Sequence, residues 1–80
     1  LFIFDNEENR KFWMKNTLIP LDMIWINNNK TIIGITKNAQ PCGQDPCDTY
    51  GIDEQSKFVL EVNAGYTDRN NIKVGDIAEF

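Results

Sequence analysis

"LIPLDMIWINNNKTIIGITK", residues 18–37, is the stretch whose reading decides the fold. Within it "LDMIWIN" (Leu21 to Asn27) is apolar at both alternating sets of positions. In an extended chain Leu21, Met23 and Trp25 share one face, and Asp22, Ile24 and Ile26 share the other. A strand with one wet face would be polar at every second residue, so this one is expected to be covered on both sides. Pro20, which has no N–H to donate, forbids a regular ladder just before it and marks a corner. "NNNK" (Asn27 to Lys30) signals a hairpin, because asparagine tolerates the left-handed conformations that tight turns require. "TIIGITK" (Thr31 to Lys37) then returns as a strand, with Gly34 marking a bulge or a close crossing.

Outward from this hairpin the chain continues to read as short strands. "LFIF" (Leu1 to Phe4) is a strand, "DNEENR" (Asp5 to Arg10) an exposed turn, and "KFWM" (Lys11 to Met14) the returning strand. From Asn38 to Ser56 a long irregular loop holds both cysteines. "KFVLEV" (Lys57 to Val62) alternates, with Phe58, Leu60 and Val62 inward and Lys57 and Glu61 outward. "NAGYTDRNN" reads as a short helix capped by Asn63 or Thr67, and "IKVGDIAEF" as a turn at Gly75–Asp76 followed by a last strand. The sum is a mainly β (α+β) protein. A small antiparallel barrel or an orthogonally packed β-sandwich, with one short helix and a long loop, is the expected closed form.

Eighty residues make one domain with a thin core. The longest apolar-rich run, Leu18 to Ile26, is broken by Pro20 and Asp22 and is far short of the roughly 20 residues a membrane-spanning helix needs. The net charge is −4, and the eight basic residues are scattered, so neither nucleic acid nor an anionic membrane surface is an expected partner. Histidine is absent, which removes the usual general base and the commonest metal ligand. The chain opens at Leu1 inside an apolar run. An upstream continuation, carrying an export signal or a membrane anchor, is the expectation.

"AQPCGQDPCDTY" (Ala39 to Tyr50) contains the two cysteines, Cys42 and Cys47. Zinc asks for about four ligands, and two cysteines without histidine supply half of them. A thioredoxin-type centre spaces its cysteines by two residues, and here four intervene. The residues therefore favour a structural disulfide over metal or redox catalysis. A disulfide in turn implies maturation in an oxidising, extracytoplasmic compartment.

Four stretches together carry a resemblance: "FWMKNTLIPLDMIWI", "AQPCGQDPCDTY", "FVLEVNAGY" and "IKVGD". From Leu1 to about Ile77 the chain resembles the bacterial and archaeal family called domain of unknown function 192. The resemblance implies a compact, largely β fold and a longer domain than this one, beginning with an extra strand and a short helical segment. Residues 1–80 are then expected to be a single domain lacking that N-terminal segment. Family members often follow an N-terminal signal or anchor, in keeping with a disulfide. The family has no established activity, so no catalytic residue carries over.

The polar residues set among apolar strands are the candidate ligand-binding positions. Lys15 and Asn16 occupy the corner before Pro20, and Asp22 opens the two-faced strand. Buried and unpaired, such charges would be unfavourable, so Lys15 and Asp22 must either grip a ligand, satisfy each other, or satisfy turn backbone. Asn63 precedes the helix, whose first N–H groups could hold an anion or could simply be capped. Trp13 and Tyr66 could stack on a sugar ring or pack in the core. No metal site, cofactor or catalytic residue is assigned. The leading expectation is an extracytoplasmic, non-catalytic module for a small ligand, glycan or protein. The alternatives are a small hydrolase or lyase using carboxylates such as Asp22 and Asp76, and a structural accessory domain.

Overall fold

The computed structural model describes residues 2–8, 11–14, 17–44, 46–52 and 54–80; for residues 2, 4–8 and 11–13 it describes the backbone alone. Its frame is an antiparallel four-stranded sheet made of β1 (Phe2–Glu8), β3 (Leu21–Ile26), β4 (Ile32–Ala39) and β6 (Ser56–Asn63), in the order β1-β6-β3-β4. A separate ribbon pairs β2 (Lys11–Trp13) with β5 (Thr49–Gly51). The only α-helix among the described residues is α1 (Tyr66–Arg69). The mainly β, antiparallel reading therefore holds, but the sheet is not closed into a barrel. Its edges are β1 and β4. The start of the β4 edge, at Ile32, is covered instead by the C-terminal segment. Ile32 donates to the Asp76 carbonyl at 2.8 Å, and Gly75 donates back to the Ile32 carbonyl at 2.8 Å. An edge whose backbone groups are already satisfied has little left to offer another strand.

β3 behaves as its alternation requires. Met23 and Trp25 are fully buried on one face, in a cluster with Met14, Ala39 and Val59 against which Cys42, Tyr50 and Ile52 pack. Ile24 and Ile26 are buried on the other face with Ile32 and Phe58, covered by Leu60, Val62, Ile72 and Ala78. The sheet thus has two cores, one under the cysteine loop and one under the C-terminal segment. β6 follows the same rule: Phe58 faces the second core while Val59 is fully buried in the first.

Several elements differ from the sequence expectation. β1 runs through Glu8, so residues 5–8 extend a strand rather than form a turn; pairing with β6 overrides their polar composition. The loop after Asn38 contains β5, whose pairing with β2 gives it order. No strand follows Gly75; only an isolated bridge joins Thr31 and Ile77. At the 27–31 hairpin the residue in the left-handed region is Lys30, with φ 64°, not an asparagine. Asn27 contributes its side chain: Oδ1 accepts the N–H groups of Asn29 and Thr31, both at 2.9 Å.

Two irregularities adapt β4 to its neighbours. Ile26 faces Ile32 while Trp25 faces Gly34, so Ile33 is an extra residue, and it packs on the first core rather than the second. Beside it, Gly34 lies under Ile52: a β-carbon there would sit 2.8 Å from Ile52 Cγ2. The glycine marks a close crossing, where the segment after β5 comes down onto the sheet. Gly34→Ala should lower stability by about 1–3 kcal/mol through overpacking, whereas Leu18→Ala, at a side chain 91% exposed, should stay within about 0.5 kcal/mol. Urea unfolding of both variants checks this. Equal stability of Gly34→Ala and the parent would show that Ile52 is not held against the strand.

Candidate functional site

Asp22 is the best-connected polar side chain of the described residues. It lies on the second-core face of β3 and is 1% exposed. Burial alone would make a lone carboxylate strongly unfavourable, so donors must surround it. Oδ1 accepts the N–H of Asn38 at 2.9 Å. Oδ2 accepts three more hydrogen bonds, from the Gly65 N–H at 3.2 Å, the Thr67 N–H at 3.1 Å and the Thr67 hydroxyl at 2.7 Å. Asn38 reaches it because β4 carries a second irregularity here, spending three residue steps between Thr36 and Ala39 against two between Met23 and Leu21. Asn38 adopts φ 56° at that bulge. The other three donors come from the start of α1, where Gly65 turns the chain at φ 90°.

The helix start does bind an anion, and the anion is the protein's own Asp22. α1 receives no side-chain cap from its N-cap residue; neither Asn63 nor Thr67 plays the expected capping part. Thr67 donates its hydroxyl to Asp22, and its side chain is completely buried. Desolvation pushes the Asp22 carboxyl up, but the bonds from Asn38, Thr67 and Gly65 outweigh it and hold the group below its ordinary 3.8. Beside this hub, Lys37 on β4 joins Asp68 of α1 in an exposed ion pair of 2.7 Å. That hydrogen bond and the Asp68 charge raise the Lys37 ammonium above its usual range.

The remaining sequence candidates do not gather around Asp22 as one constellation. Asn63 pairs with Leu21 at the end of β6, so its side chain belongs to the opposite face of the sheet, where it is exposed. Tyr66 opens α1 and is 40% exposed. Lys15 and Asn16 lie outside the described residues, as does the side chain of Trp13, whose backbone pairs with Thr49. The carboxylates of Asp22 and Asp76 are not a couple. Asp22 is tied to Asn38 and the Asp76 backbone to Ile32; six residues of strand separate these anchors by about 20 Å. Glycosidic chemistry needs two carboxyl groups about 5–10 Å apart. Among the described residues no three or more of Cys, Asp or Glu are grouped to hold a metal ion.

Cys42 and Cys47 are joined in a disulfide with Cα atoms 5.8 Å apart. The loop they close is anchored by more than the bridge, because Cys42 packs on the first core and donates its N–H to the Met14 carbonyl at 3.1 Å. Between this loop and the β2–β5 ribbon lies a hollow of about 170 Å³, lined by Met14, Gln40, Cys42, Pro46, Asp48 and Tyr50. Gln40 and Tyr50 received no role from the sequence. Nothing local distinguishes them, since only the folding back of β5 onto β2 brings Tyr50 beside Met14. Thr67 was recognisable only as a cap, because its real partner is 45 positions away in the chain.

Asp22→Ala should lower stability by about 3 kcal/mol, since it leaves a buried hydroxyl and three N–H groups without their acceptor. Thr67→Val should be milder, about 1–2 kcal/mol. The folded-state pKa of Asp22 is depressed, so its contribution is complete above the unfolded value and is lost as pH falls through the folded one. Denaturant titrations across the acid range should therefore show the parent losing stability below about pH 4 more steeply than Asp22→Asn. Parallel acid limbs for the two proteins would exclude this role.

Comparison with known proteins places these features in a family. The chain is similar to a crystal structure from Novosphingobium aromaticivorans DSM 12444 described as a protein of unknown function. The two are 33% identical with a TM-score of 0.89, over 99% of this chain and 54% of that one. It is also similar to a crystal structure from Sinorhizobium meliloti 1021 described as a "putative transcription regulator". Here the identity is 37% and the TM-score 0.86, over 95% of this chain and 57% of that one. The chain thus spans little more than half the length of each. No curated protein matches. The model of family DUF192, described as "Uncharacterized ACR", matches residues 1–80 from end to end, and the chain belongs to that family.

Proposed function

We propose that this protein is a non-catalytic binding module that works outside the cytoplasm and holds a projecting group of a larger molecule in the hollow under its disulfide loop. One observation carries the reading: a covalent bridge fixes one wall of a concave surface that mixes apolar and polar side chains. A loop fixed before binding loses little conformational freedom when it binds, which favours affinity over plasticity. At roughly 30 Å³ per water-sized unit, a hollow of about 170 Å³ admits some six non-hydrogen atoms. That is the size of a side chain or the edge of a sugar ring, so the occupant is one end of a glycan or protein partner. Met14 and Pro46 supply apolar walls, while Gln40, Asp48 and Tyr50 supply polar groups for orientation.

The same bond supports the compartment in this reading. A disulfide is consistent with an oxidising environment, because cytosolic thiols are kept reduced. No helix among the described residues is long and apolar enough to cross a membrane, so any tether is sought in other segments. The engaged state of Asp22 supports binding over hydrolysis: a carboxylate that accepts four protein hydrogen bonds is poorly placed to shuttle a proton.

A thermal-shift screen of saccharides and short peptides against the full-length protein tests the proposal. A ligand at about a hundredfold its Kd adds about 2.7 kcal/mol of apparent stability. The shift should shrink in Tyr50→Phe and Asp48→Asn, and again in Cys42→Ser/Cys47→Ser, whose own loss of stability is expected near 2 kcal/mol. Stabilisation that ignores all three changes would remove the hollow from consideration.

A further inference from the structure

The opposite face of the sheet contains a second and larger cavity, of about 350 Å³, that the binding reading above does not use. Its floor is Ile24 and Ile26 of β3 with Leu60 of β6, and its walls are Ile72, Ile77 and Ala78 of the C-terminal segment. The floor is part of the second core, and the cavity opens from it to the surface. Ile77 is nevertheless 65% exposed and Phe80 52% exposed, which leaves a way in beside the segment. Among the described residues, the ionisable side chains lining it are Asp76 and Glu79, both exposed and hence at its mouth. Asp76 is held in place there, its Oδ2 accepting the Lys73 N–H at 2.9 Å. Lys30 does not line the cavity but reaches its rim at Phe80. Its ammonium donates to the Phe80 carbonyl at 2.7 Å and sits 4.5 Å from the centre of the Phe80 ring.

We propose that this cavity binds a small organic ammonium ion, with its apolar body on the isoleucine floor and its amine between Asp76 and Glu79. Size, lining and charge each restrict the ligand. The volume lies at the lower end of small-molecule sites, which start at about 300 Å³, and admits about a dozen non-hydrogen atoms at the packing of liquid water. An apolar floor and walls leave the interior nothing to offer a sugar or a nucleotide, whose buried hydroxyls would go unpaired. Two carboxylates at the mouth oppose a fatty acid or any other anionic amphiphile and attract a cation, and the chain's net charge of −4 acts in the same direction. An alkyl or aryl body also recovers the dispersion contacts that the side chains facing the gap lack.

Titration of the full-length protein with hexylammonium, hexanol and hexanoate, followed by amide chemical shifts, tests the assignment. All three probes carry the same apolar body and differ only in the head group. Hexylammonium should bind about fivefold more tightly than hexanol, and hexanoate more weakly than either. The shifts should centre on Ile26, Ile77 and Ala78. In Asp76→Asn/Glu79→Gln, hexylammonium should fall to the affinity of hexanol while hexanol binding is unchanged. Glu79→Gln alone, at an exposed side chain, should give part of that loss if the double variant does not fold. Ala78→Leu, which fills the cavity, should abolish binding of all three, with the Trp25 environment serving as a check on folding. Absence of any shift, or equal affinity for the three head groups, overturns the proposal. So do shifts centred on Met14, Gln40 and Tyr50, which would instead place the ligand in the hollow beneath the disulfide.

Discussion

Both faces of β3 must be kept dry, and the remaining chain is organised to do so. Trp25 and Met23 on one side, and Ile24 and Ile26 on the other, are each no more than 2% exposed. A sheet covered on one face would leave two of these four in water, at about 1.5–3 kcal/mol for each aliphatic side chain. The cover on the first face is the β2–β5 ribbon with the cysteine loop, and that on the second is the C-terminal segment after α1. Neither cover is a regular layer. Each is a short stretch of chain held by a few specific bonds, and the two concave surfaces described above lie under these two covers.

Asp22 is the link between the sheet and the second cover. It sits in β3 beside Met23 and Ile24, yet its carboxylate reaches the β4 bulge at Asn38 and the turn that starts α1. Four residues of helix have almost no intrinsic stability, because nucleation fixes several residues for each hydrogen bond formed. The N–H groups that such a helix cannot satisfy internally are the ones Asp22 accepts. A buried charge and an unstable helix thus resolve each other's deficit. The same bonds hold the Asp22 carboxyl in its ionised form and commit it to structure.

The disulfide acts on the first cover in a comparable way. Closing a five-residue separation constrains the unfolded chain only modestly, but the bridge lies where the chain passes from β4 to β5 without regular pairing. Cys42 is at once half of the bridge and part of the packing around Trp25 and Met14. Fixing this loop fixes the side chains it presents, including Asp48 and Tyr50. The two solved relatives share this fold, and the present chain spans little more than half the length of each.

Periodicity and local turn chemistry were legible in the amino acids themselves. The two faces of β3, the hairpin at Asn27–Lys30, the strand character of Phe58–Val62, the close crossing at Gly34 and the pairing of the cysteines all follow from residues near one another in the chain. The tertiary structure alone decided the ends of β1, the existence of β5, the absence of a final strand and the open form of the sheet. Each of these depends on which backbone groups another segment has already taken. Asp22 shows the difference most directly. Its position in an apolar strand announced that it must have partners, but those partners are 16 to 45 residues away in the chain. Only when β4 bulges and α1 turns back over β3 do their donors converge on one carboxylate.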